Sequence, residues 1–251
     1  MNMVETEYHG DVALIRLARG TTNALNTPFI IELSETLDMV REDPNVHGIV
    51  LLSSNEKFFC IGYDLKELYP VSRQEFTEFY QAFNRFCVDL ITISKPTIAA
   101  ITGHAIAGGC ALTLCCDYRY ITEGHRLMGF NVLRLGIPVP YLVGWLLHHI
   151  VGARTARDIS DSGQFYTPDQ LLDLGLVDSV LPLETVIPKS LEKAQALGDV
   201  PHKAFAVTKR NRNEALEKEI LTHLEEKNQE FIDCWFSEEA QSLLKDAMKK
   251  F

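Results

Sequence analysis

The sequence predicts an α/β fold followed by a mostly helical region, and two features of its 251 residues support this prediction. Apolar runs with a period of two alternate with amphipathic helical stretches over the first half of the chain, which is typical of α/β layers. Beyond Pro140, strand-like runs become rare and helical stretches dominate. No segment rich in Pro, Ser or Gly separates the two parts, so we expect one domain over residues 1–251.

The amino-terminal elements follow a strand–helix–strand order. The stretch "DVALIRL" (11–17) alternates like a strand, and "TPFIIELSETLDMVRE" (27–42) carries its apolar residues at helical spacing. The run "VHGIVLLSS" (46–54) is apolar enough for a strand that is buried on both faces. This order is the repeating unit of an α/β layer fold.

The same order recurs in the next part of the chain. A helix is predicted over "RQEFTEFYQAFNRFCVDLITI" (73–93), and a strand over "PTIAAIT" (96–102). A second helix opens at the Gly108-Gly109 pair, and the strand "YRYIT" (118–122) follows it. Each of these strands therefore ends near a loop that is able to carry functional groups.

The carboxy-terminal part consists mainly of predicted helices. The stretches 141–152, 153–160 and 167–175 all have helical patterns, and three later helical stretches follow them. The last of these, "SEEAQSLLKDAMKKF" (237–251), is amphipathic and ends in basic residues, as the carboxyl end of a helix favours.

Composition excludes several classes of protein. The 34 acidic and 24 basic residues give a net charge of −10, which argues against nucleic acid or a membrane surface as the partner. No uncharged apolar run of about 18 residues and no signal-peptide pattern is present, so we expect a cytoplasmic protein without a membrane span. The six cysteines lack the spacing of a zinc site or a secreted disulfide framework, so we expect reduced thiols and no bound metal.

Two loops lead from a predicted strand into a helix. In "KFFCIGYDLKEL" (57–68), a turn into a short helix leaves the backbone N–H groups near Ile61 and Gly62 unpaired. In "GHAIAGG" (103–109), the N–H of Gly108 lies at the positive end of a helix. Two such donors that point at one carbonyl oxygen stabilise an enolate or a tetrahedral oxyanion. Loss of one donor raises the activation free energy by about 3 kcal/mol.

Four stretches carry a family resemblance that extends over nearly the whole chain. They are "FFCIGYDLKEL", "KPTIAAITGHAIAGGCALTLCCDYRY", "RLGIPVP" and "TPDQLLDLGLVDSVLP". In this order they resemble the successive signatures of the crotonase superfamily of enoyl-CoA hydratases and isomerases. The resemblance implies a ββα spiral core, over residues 1–190, and a helical region, over 191–251, that forms trimers, often stacked as hexamers. It also implies an acyl-CoA substrate and no separate cofactor.

The resemblance assigns roles to individual residues. It places the two oxyanion donors at Ile61 and Gly108, and "TTNALN" (21–26) resembles the segment that lines the CoA arm. The residues expected to contact the substrate are Asn23, Ala24, Leu25, Cys60, Gly62, Asp64, Leu65, Ala107 and Gly109.

The family's carboxylates are absent from their usual places. Hydratases carry a glutamate where this chain has Ala111, and isomerases carry one where it has Val132. An acid used by dienoyl-CoA isomerases falls near Pro140. Because a general base must lie within hydrogen-bond reach of its proton, directly or through one water, we expect atypical proton-transfer residues.

Two tyrosines are the candidate replacements. Tyr63 stands where methylmalonyl-CoA decarboxylases of the superfamily carry a histidine, and Tyr141 resembles a tyrosine of the same enzymes. Decarboxylation requires only an oxyanion hole and a group that orients the carboxylate. The main interpretation is therefore an acyl-CoA enzyme that stabilises a thioester enolate. A methylmalonyl-CoA-decarboxylase-like enzyme and a non-catalytic acyl-CoA-binding protein are the alternatives.

Overall fold

The computed structural model describes residues 2–249, and the strands of this part form two sheets. The larger sheet has the order β1-β2-β3-β5-β7-β10 and the smaller one β4-β6-β8-β9. The strands are β1 (Val4–His9), β2 (Val12–Leu17), β3 (Gly48–Ser53), β4 (Phe58–Cys60), β5 (Thr97–Ile101), β6 (His104–Ile106), β7 (Tyr118–Thr122), β8 (Met128–Gly129), β9 (Phe165–Tyr166) and β10 (Ser179–Leu181).

Helices connect and cover these strands. They are α1 (Thr27–Glu42), α2 (Leu65–Leu68), α3 (Arg73–Thr92), α4 (Gly108–Leu114), α5 (Tyr141–Ser162), α6 (Pro168–Asp173), α7 (Leu183–Gly198), α8 (His202–Trp235) and α9 (Glu238–Met248). A short 3₁₀ helix spans Val132–Leu135. Within the described residues, no helix has the combination of length and apolar character that spanning a membrane requires.

The chain builds the two sheets by alternating between them. β3 enters the larger sheet and β4 the smaller one, and β5 and β6, then β7 and β8, repeat this step. Helices follow each pair, so successive ββα units stack in parallel register, with β3 beside β5 and β4 beside β6. The predicted α/β class is confirmed, and the ends of β4 and β6 lie next to each other.

Apolar side chains are buried on both faces of the larger sheet. One face packs on the smaller sheet and on α1, α3, α5 and α8, where most of the buried apolar side chains form one cluster. The opposite face packs on α7, through a smaller cluster that includes Leu14, Val50 and Val186. The larger sheet is thus buried on both sides, which explains the nearly continuous apolar sequence of β3.

Most of the predicted elements match the structure closely. The helix predicted over 27–42 is α1, and that predicted over 73–93 is α3, which begins with a capping box at Ser72 and Glu75. The helical stretches predicted over 141–152 and 153–160 correspond to the two parts of α5. A kink at Gly152 separates them, because this glycine has the non-helical angles φ 77° and ψ 164°. The short strands of the smaller sheet were not predicted, since two or three residues carry no detectable period.

The predicted limit between core and helical region lies inside a helix. Residues 190 and 191 both belong to α7, which packs against the larger sheet. All of α7 therefore belongs to the core, and the helical region that remains consists of α8 and α9. The predicted domain also includes residues 1, 250 and 251, which lie outside the described residues.

Candidate active site

The turns that follow β4 and β6 are in contact. Gly62 has a φ of 89°, and a Cβ at this position would lie 2.9 Å from the amide N of Gly108. Ala107, which precedes α4, also has a positive φ of 49°. Positive φ favours glycine, and the close approach leaves no space for a side chain at position 62. The two loops therefore meet, as expected from their place at neighbouring strands.

The unpaired donor of the first loop differs from the predicted one. The N–H of Ile61 donates to the carbonyl oxygen of Thr22 at 3.1 Å, so the prediction of Ile61 as an oxyanion donor is wrong. Leu25 forms a parallel bridge with Tyr63, and such a bridge uses the backbone groups on either side of Tyr63. Among residues 2–249, the N–H groups of Tyr63 and Gly108 have no hydrogen-bond partner.

Tyr63 and Gly108 line a cavity of about 720 Å³. Its walls are mostly apolar and come from both loops, from α3, and from the carboxy-terminal helices α8 and α9. Several predicted substrate contacts lie on the walls, namely Ala24, Asp64, Leu65 and Ala107, together with Ile61. The cavity is large enough for part of a small organic ligand.

The other predicted contacts support the loops from outside the cavity wall. The buried side chain of Asn23 donates to Ser53 Oγ at 2.9 Å and to the Phe59 carbonyl at 3.0 Å, so it holds the 21–26 segment in place. Leu25 is fully buried and pairs its backbone with the first loop. A Cβ on Gly109 would lie 2.1 Å from the Cys60 carbonyl oxygen, so this glycine allows α4 to pack on β4.

The thiol of Cys60 has no acid–base role at neutral pH. Its side chain is fully buried, and burial raises the pKa of Cys60 to about 12. Gly62 likewise serves the geometry of the turn rather than a contact with the cavity. The predicted contacts Asn23, Leu25, Cys60, Gly62 and Gly109 are therefore corrected to structural positions, because none of these side chains or glycines lines the cavity.

The Tyr63 side chain lies in an aromatic cluster. Its ring contacts those of Phe79 and Phe83 edge-to-face, with centroids 5.0 and 5.3 Å away, and that of Trp235 at 6.3 Å. The hydroxyl has no protein partner, and burial raises the pKa of Tyr63 well above its usual value. The phenol therefore stays protonated at neutral pH and is a hydrogen-bond donor rather than a base.

Tyr141 lies away from the cavity, and its predicted catalytic role is corrected. It begins α5 and its hydroxyl donates to Glu219 Oε1 on α8 at 3.0 Å. Pro140, one residue earlier, lines the cavity, but Tyr141 does not. The helix turns the tyrosine outward because the side chains of adjacent helical residues point in different directions.

All three positions where the family resemblance expects an acid line the cavity. Ala111, Val132 and Pro140 contribute to its wall, and none of them carries an ionisable group. Asp64 is the one carboxylate on the part of the wall that the structure describes. Its oxygens accept from Arg19 at 2.8 Å and from the Glu67 N–H at 3.2 Å, so it acts as a helix cap held by an ion pair.

Two histidines line the cavity near the start of β6. The rings of His104 and His125 are 5.7 Å apart, and His104 Nδ1 accepts from the Leu127 N–H at 3.0 Å. Burial lowers the pKa of His104, and the positive charge of nearby groups acts in the same direction. Within residues 2–249, no three His, Cys, Asp or Glu side chains are grouped so that they can hold a metal ion.

The sequence interpretation missed the wall that α3, α8 and α9 provide. Phe83, Phe231 and Trp235 form its aromatic part, and Leu244 and Met248 come from α9. Their helical periodicity predicts a buried face for each helix. It does not predict what that face covers, because contacts between distant helices have no local signal in the chain.

Comparisons with known proteins agree with this architecture. A family model described as enoyl-CoA hydratase/isomerase matches residues 7–251. The chain is 27% identical over 249 residues to enoyl-CoA delta isomerase 1, mitochondrial, of Mus musculus, covering 99% of this chain and 86% of that protein. It is 29% identical over 252 residues to the short-chain-enoyl-CoA hydratase of Clostridium acetobutylicum, covering 100% of this chain and 95% of the relative.

Solved structures show the same fold. Human mitochondrial delta3-delta2-enoyl-CoA isomerase superposes with a TM-score of 0.94 at 27% identity, over 99% of this chain and 97% of the other. An enoyl-CoA hydratase from Bacillus halodurans has a TM-score of 0.90 at 23% identity, over 97% and 99% of the two chains. With the motifs, the alternating sheets and the family match in agreement, the chain belongs to the enoyl-CoA hydratase/isomerase family of enzymes, within the crotonase superfamily.

Proposed function

We propose that this protein binds an acyl-CoA thioester and stabilises its enolate oxygen between the backbone N–H groups of Tyr63 and Gly108. The observation that carries the proposal is that two unpaired donors, on loops in contact with each other, belong to residues lining one mostly apolar cavity. Backbone donors of this kind stabilise an oxyanion without reorganising, because the fold already holds them in place.

The proposal uses Tyr63 in place of Ile61 and keeps Gly108. The N–H of Gly108 also benefits from the positive end of α4, where the first amides of a helix lack partners. Relatives in this family are named as enoyl-CoA isomerases and hydratases, which supports a thioester of an unsaturated or enolisable acyl group as the substrate.

No glutamate lines the described part of the cavity, so proton transfer in this protein uses other groups than a glutamate. Ala111 and Val132 cannot accept or donate a proton, and Asp64 is occupied by Arg19 and by the start of α2. The Tyr63 hydroxyl is a donor that does not ionise at neutral pH. Two-carboxylate hydration therefore lacks its groups, and enolate stabilisation is the chemistry that the site supports best.

The test measures polarisation of the thioester carbonyl, which does not depend on turnover. Binding of an acyl-CoA to the parent protein should lower the carbonyl stretching frequency, because two N–H groups donate to the oxygen. In Gly108→Ala, the added Cβ would lie 3.1 to 3.3 Å from Leu25, Tyr63 and Gly62 and narrow the site. We expect this variant to bind about tenfold more weakly and to show a smaller frequency shift, because the Cβ displaces the oxygen from the two N–H groups.

Gly144→Ala is the matched control. Gly144 lies in α5, and a Cβ there meets no other atom within 4 Å. This variant should bind and polarise the thioester as the parent does. Binding of the thioester to the parent protein without a carbonyl shift, or an unchanged shift in Gly108→Pro, which lacks the amide hydrogen, would exclude the proposed oxyanion site, provided that the protein retains its circular dichroism spectrum.

A further inference from the structure

Arg19 connects the segment 21–26 to the loop that follows β4. Its Nη1 donates to the Ala24 carbonyl oxygen at 2.6 Å and to Asp64 Oδ2 at 2.8 Å, and its Nη2 donates to Glu67 Oε1 at 2.5 Å. Hydrogen bonds from a guanidinium to carboxylates are strong, and the planar group holds its acceptors in fixed directions. One side chain therefore fixes the segment, the loop and α2 relative to each other.

The Arg19 side chain supports the site from outside the cavity. It is 17% exposed, and Arg19 is not among the residues that line the described part of the cavity. Asp64 accepts the Glu67 N–H through its other oxygen, Oδ1, as the cap of α2. Glu67 Oε2 accepts from the side chain of Asn26, the cap of α1, at 2.6 Å. The guanidinium thus lies between two carboxylates that are themselves tied to helix starts.

The direction of the Tyr63 N–H depends on this connection. Leu25 donates to the carbonyl of the residue before Tyr63 at 2.7 Å, and it accepts from the N–H of the residue after Tyr63 at 2.8 Å. Both neighbours of the unpaired donor are therefore bonded to Leu25. Ala24 and Asp64, which share Nη1 of Arg19, are the next residues to Leu25 and Tyr63 in the chain. The arginine therefore fastens this pairing directly beside the unpaired donor.

Leu25 also contacts the second loop. An ideal Cβ on Gly108 would lie 3.1 Å from Leu25 Cδ1 and 3.3 Å from Gly62 Cα, so both pack against the start of α4. Leu25 is fully buried, and a shift of its backbone would move these close contacts as well. A displacement of the segment that Arg19 holds would therefore change the arrangement of the two N–H donors.

We propose that Arg19 is a positioning residue that holds the Tyr63 N–H in the direction that the oxyanion site requires. It acts through Ala24 and Asp64 rather than through contact with the ligand. Loss of the guanidinium would leave the Asp64 and Glu67 carboxylates beside each other, and their repulsion would displace the loop. This inference rests on the proposed function, because the direction of the N–H matters only if it donates to the thioester oxygen.

The carbonyl stretching frequency of bound butanoyl-CoA, measured with the protein in saturating excess, tests this role. Arg19→Met keeps an apolar stem of similar length and removes the guanidinium. We expect about half of the parent's frequency shift to remain, since Gly108 still donates, and the affinity to fall about tenfold. A merely structural role would lower the unfolding midpoint and leave the shift of the bound thioester unchanged.

Arg41→Met is the matched control. Arg41 belongs to α1, forms an ion pair with Asp38 and does not line the cavity. The control removes the same group from an ion pair away from the site, so it should keep the parent's frequency shift and affinity.

Asp64→Asn tests the same connection from its other end and does not depend on the folding of Arg19→Met. Asparagine caps a helix as well as aspartate does, so α2 should remain formed while the ion pair is lost. The frequency shift should fall as in Arg19→Met. The double variant should lose no more than either single variant, because both substitutions remove one connection.

The outcomes separate this inference from the proposed function. The parent's full frequency shift in either folded variant, Arg19→Met or Asp64→Asn, would overturn the role of Arg19 and leave the oxyanion site standing. An equal loss of shift in Arg41→Met would also overturn it, since the effect would then follow from the loss of any ion pair. Failure of the parent to bind butanoyl-CoA, or binding without a shift, would instead contradict the proposed function.

Discussion

At the scale of single residues, Val132 is the position where one substitution should change the chemistry. It lines the cavity at the start of the 3₁₀ helix. The superfamily resemblance implies that isomerases carry their glutamate at this position. Because a positioned acid or base contributes about 10²–10⁴-fold, the parent should hydrate crotonyl-CoA slowly and isomerise 3-enoyl-CoA slowly. Val132→Glu should accelerate isomerisation by about 10²-fold or more, measured by the absorbance of the conjugated thioester.

The neighbouring residue supplies the control for this gain of function. Leu133 is 44% exposed and does not line the cavity, so Leu133→Glu adds the same charge without placing it at the site. It should leave the isomerisation rate unchanged. Rapid hydration of crotonyl-CoA by the parent would show that an acid reaches the thioester from another position, and would refute the interpretation of Val132.

At the scale of secondary-structure elements, α8 is held to the end of the larger sheet by a buried ion pair. Lys209 Nζ donates to Asp117 Oδ2 at 2.7 Å and to the Lys95 carbonyl at 3.0 Å, and Lys209 is 2% exposed. Asp117 also accepts from Arg212 and from the Thr97 N–H. Lys209→Met should lower the free energy of unfolding by about 3 kcal/mol, because Asp117 loses its buried cation.

Chemical denaturation of two variants measures this contribution. Lys218 is exposed on the same helix, so Lys218→Met removes an equal charge without uncovering a buried partner. Its unfolding midpoint should stay close to that of the parent. Equal midpoints for Lys209→Met and the parent would show that Arg212 and the sheet amides alone satisfy Asp117. Since α8 also carries Trp235, loss of this anchor should weaken ligand binding as well.

At the scale of the whole molecule, we predict self-association into trimers or hexamers. Large apolar side chains remain exposed on the single chain, among them Ile31, Met39, Leu172 and Leu221. Their burial between copies would stabilise an assembly, and the superfamily resemblance implies the trimer. Sedimentation velocity at micromolar concentration should give a mass of three or six chains. A single species of 28.3 kDa would contradict this prediction.

The sequence by itself determined the fold class and the location of the two loops that meet at the candidate site. Alternating and helical apolar patterns predicted α1, α3 and the strands β2, β3, β5 and β7 of the larger sheet, because each of these elements is long enough to show its period. The edge strands β1 and β10 were not predicted. The glycines at 62 and 108 marked the two loops: Gly62 has a positive φ, and a Cβ at either position would lie close to the other loop. The motifs also showed that Ala111 and Val132 stand where the resemblance expects glutamates.

Only the tertiary structure decided which groups meet at the site. The unpaired donor is Tyr63 rather than Ile61, because the 21–26 segment runs beside the loop and takes the Ile61 N–H. Tyr141 points to α8, and Trp235, more than a hundred residues from Gly108, completes the cavity wall. Local sequence determines the period and the turns of each element. Hydrogen-bond partners and cavity walls depend on contacts between segments far apart in the chain, and no local pattern encodes those contacts.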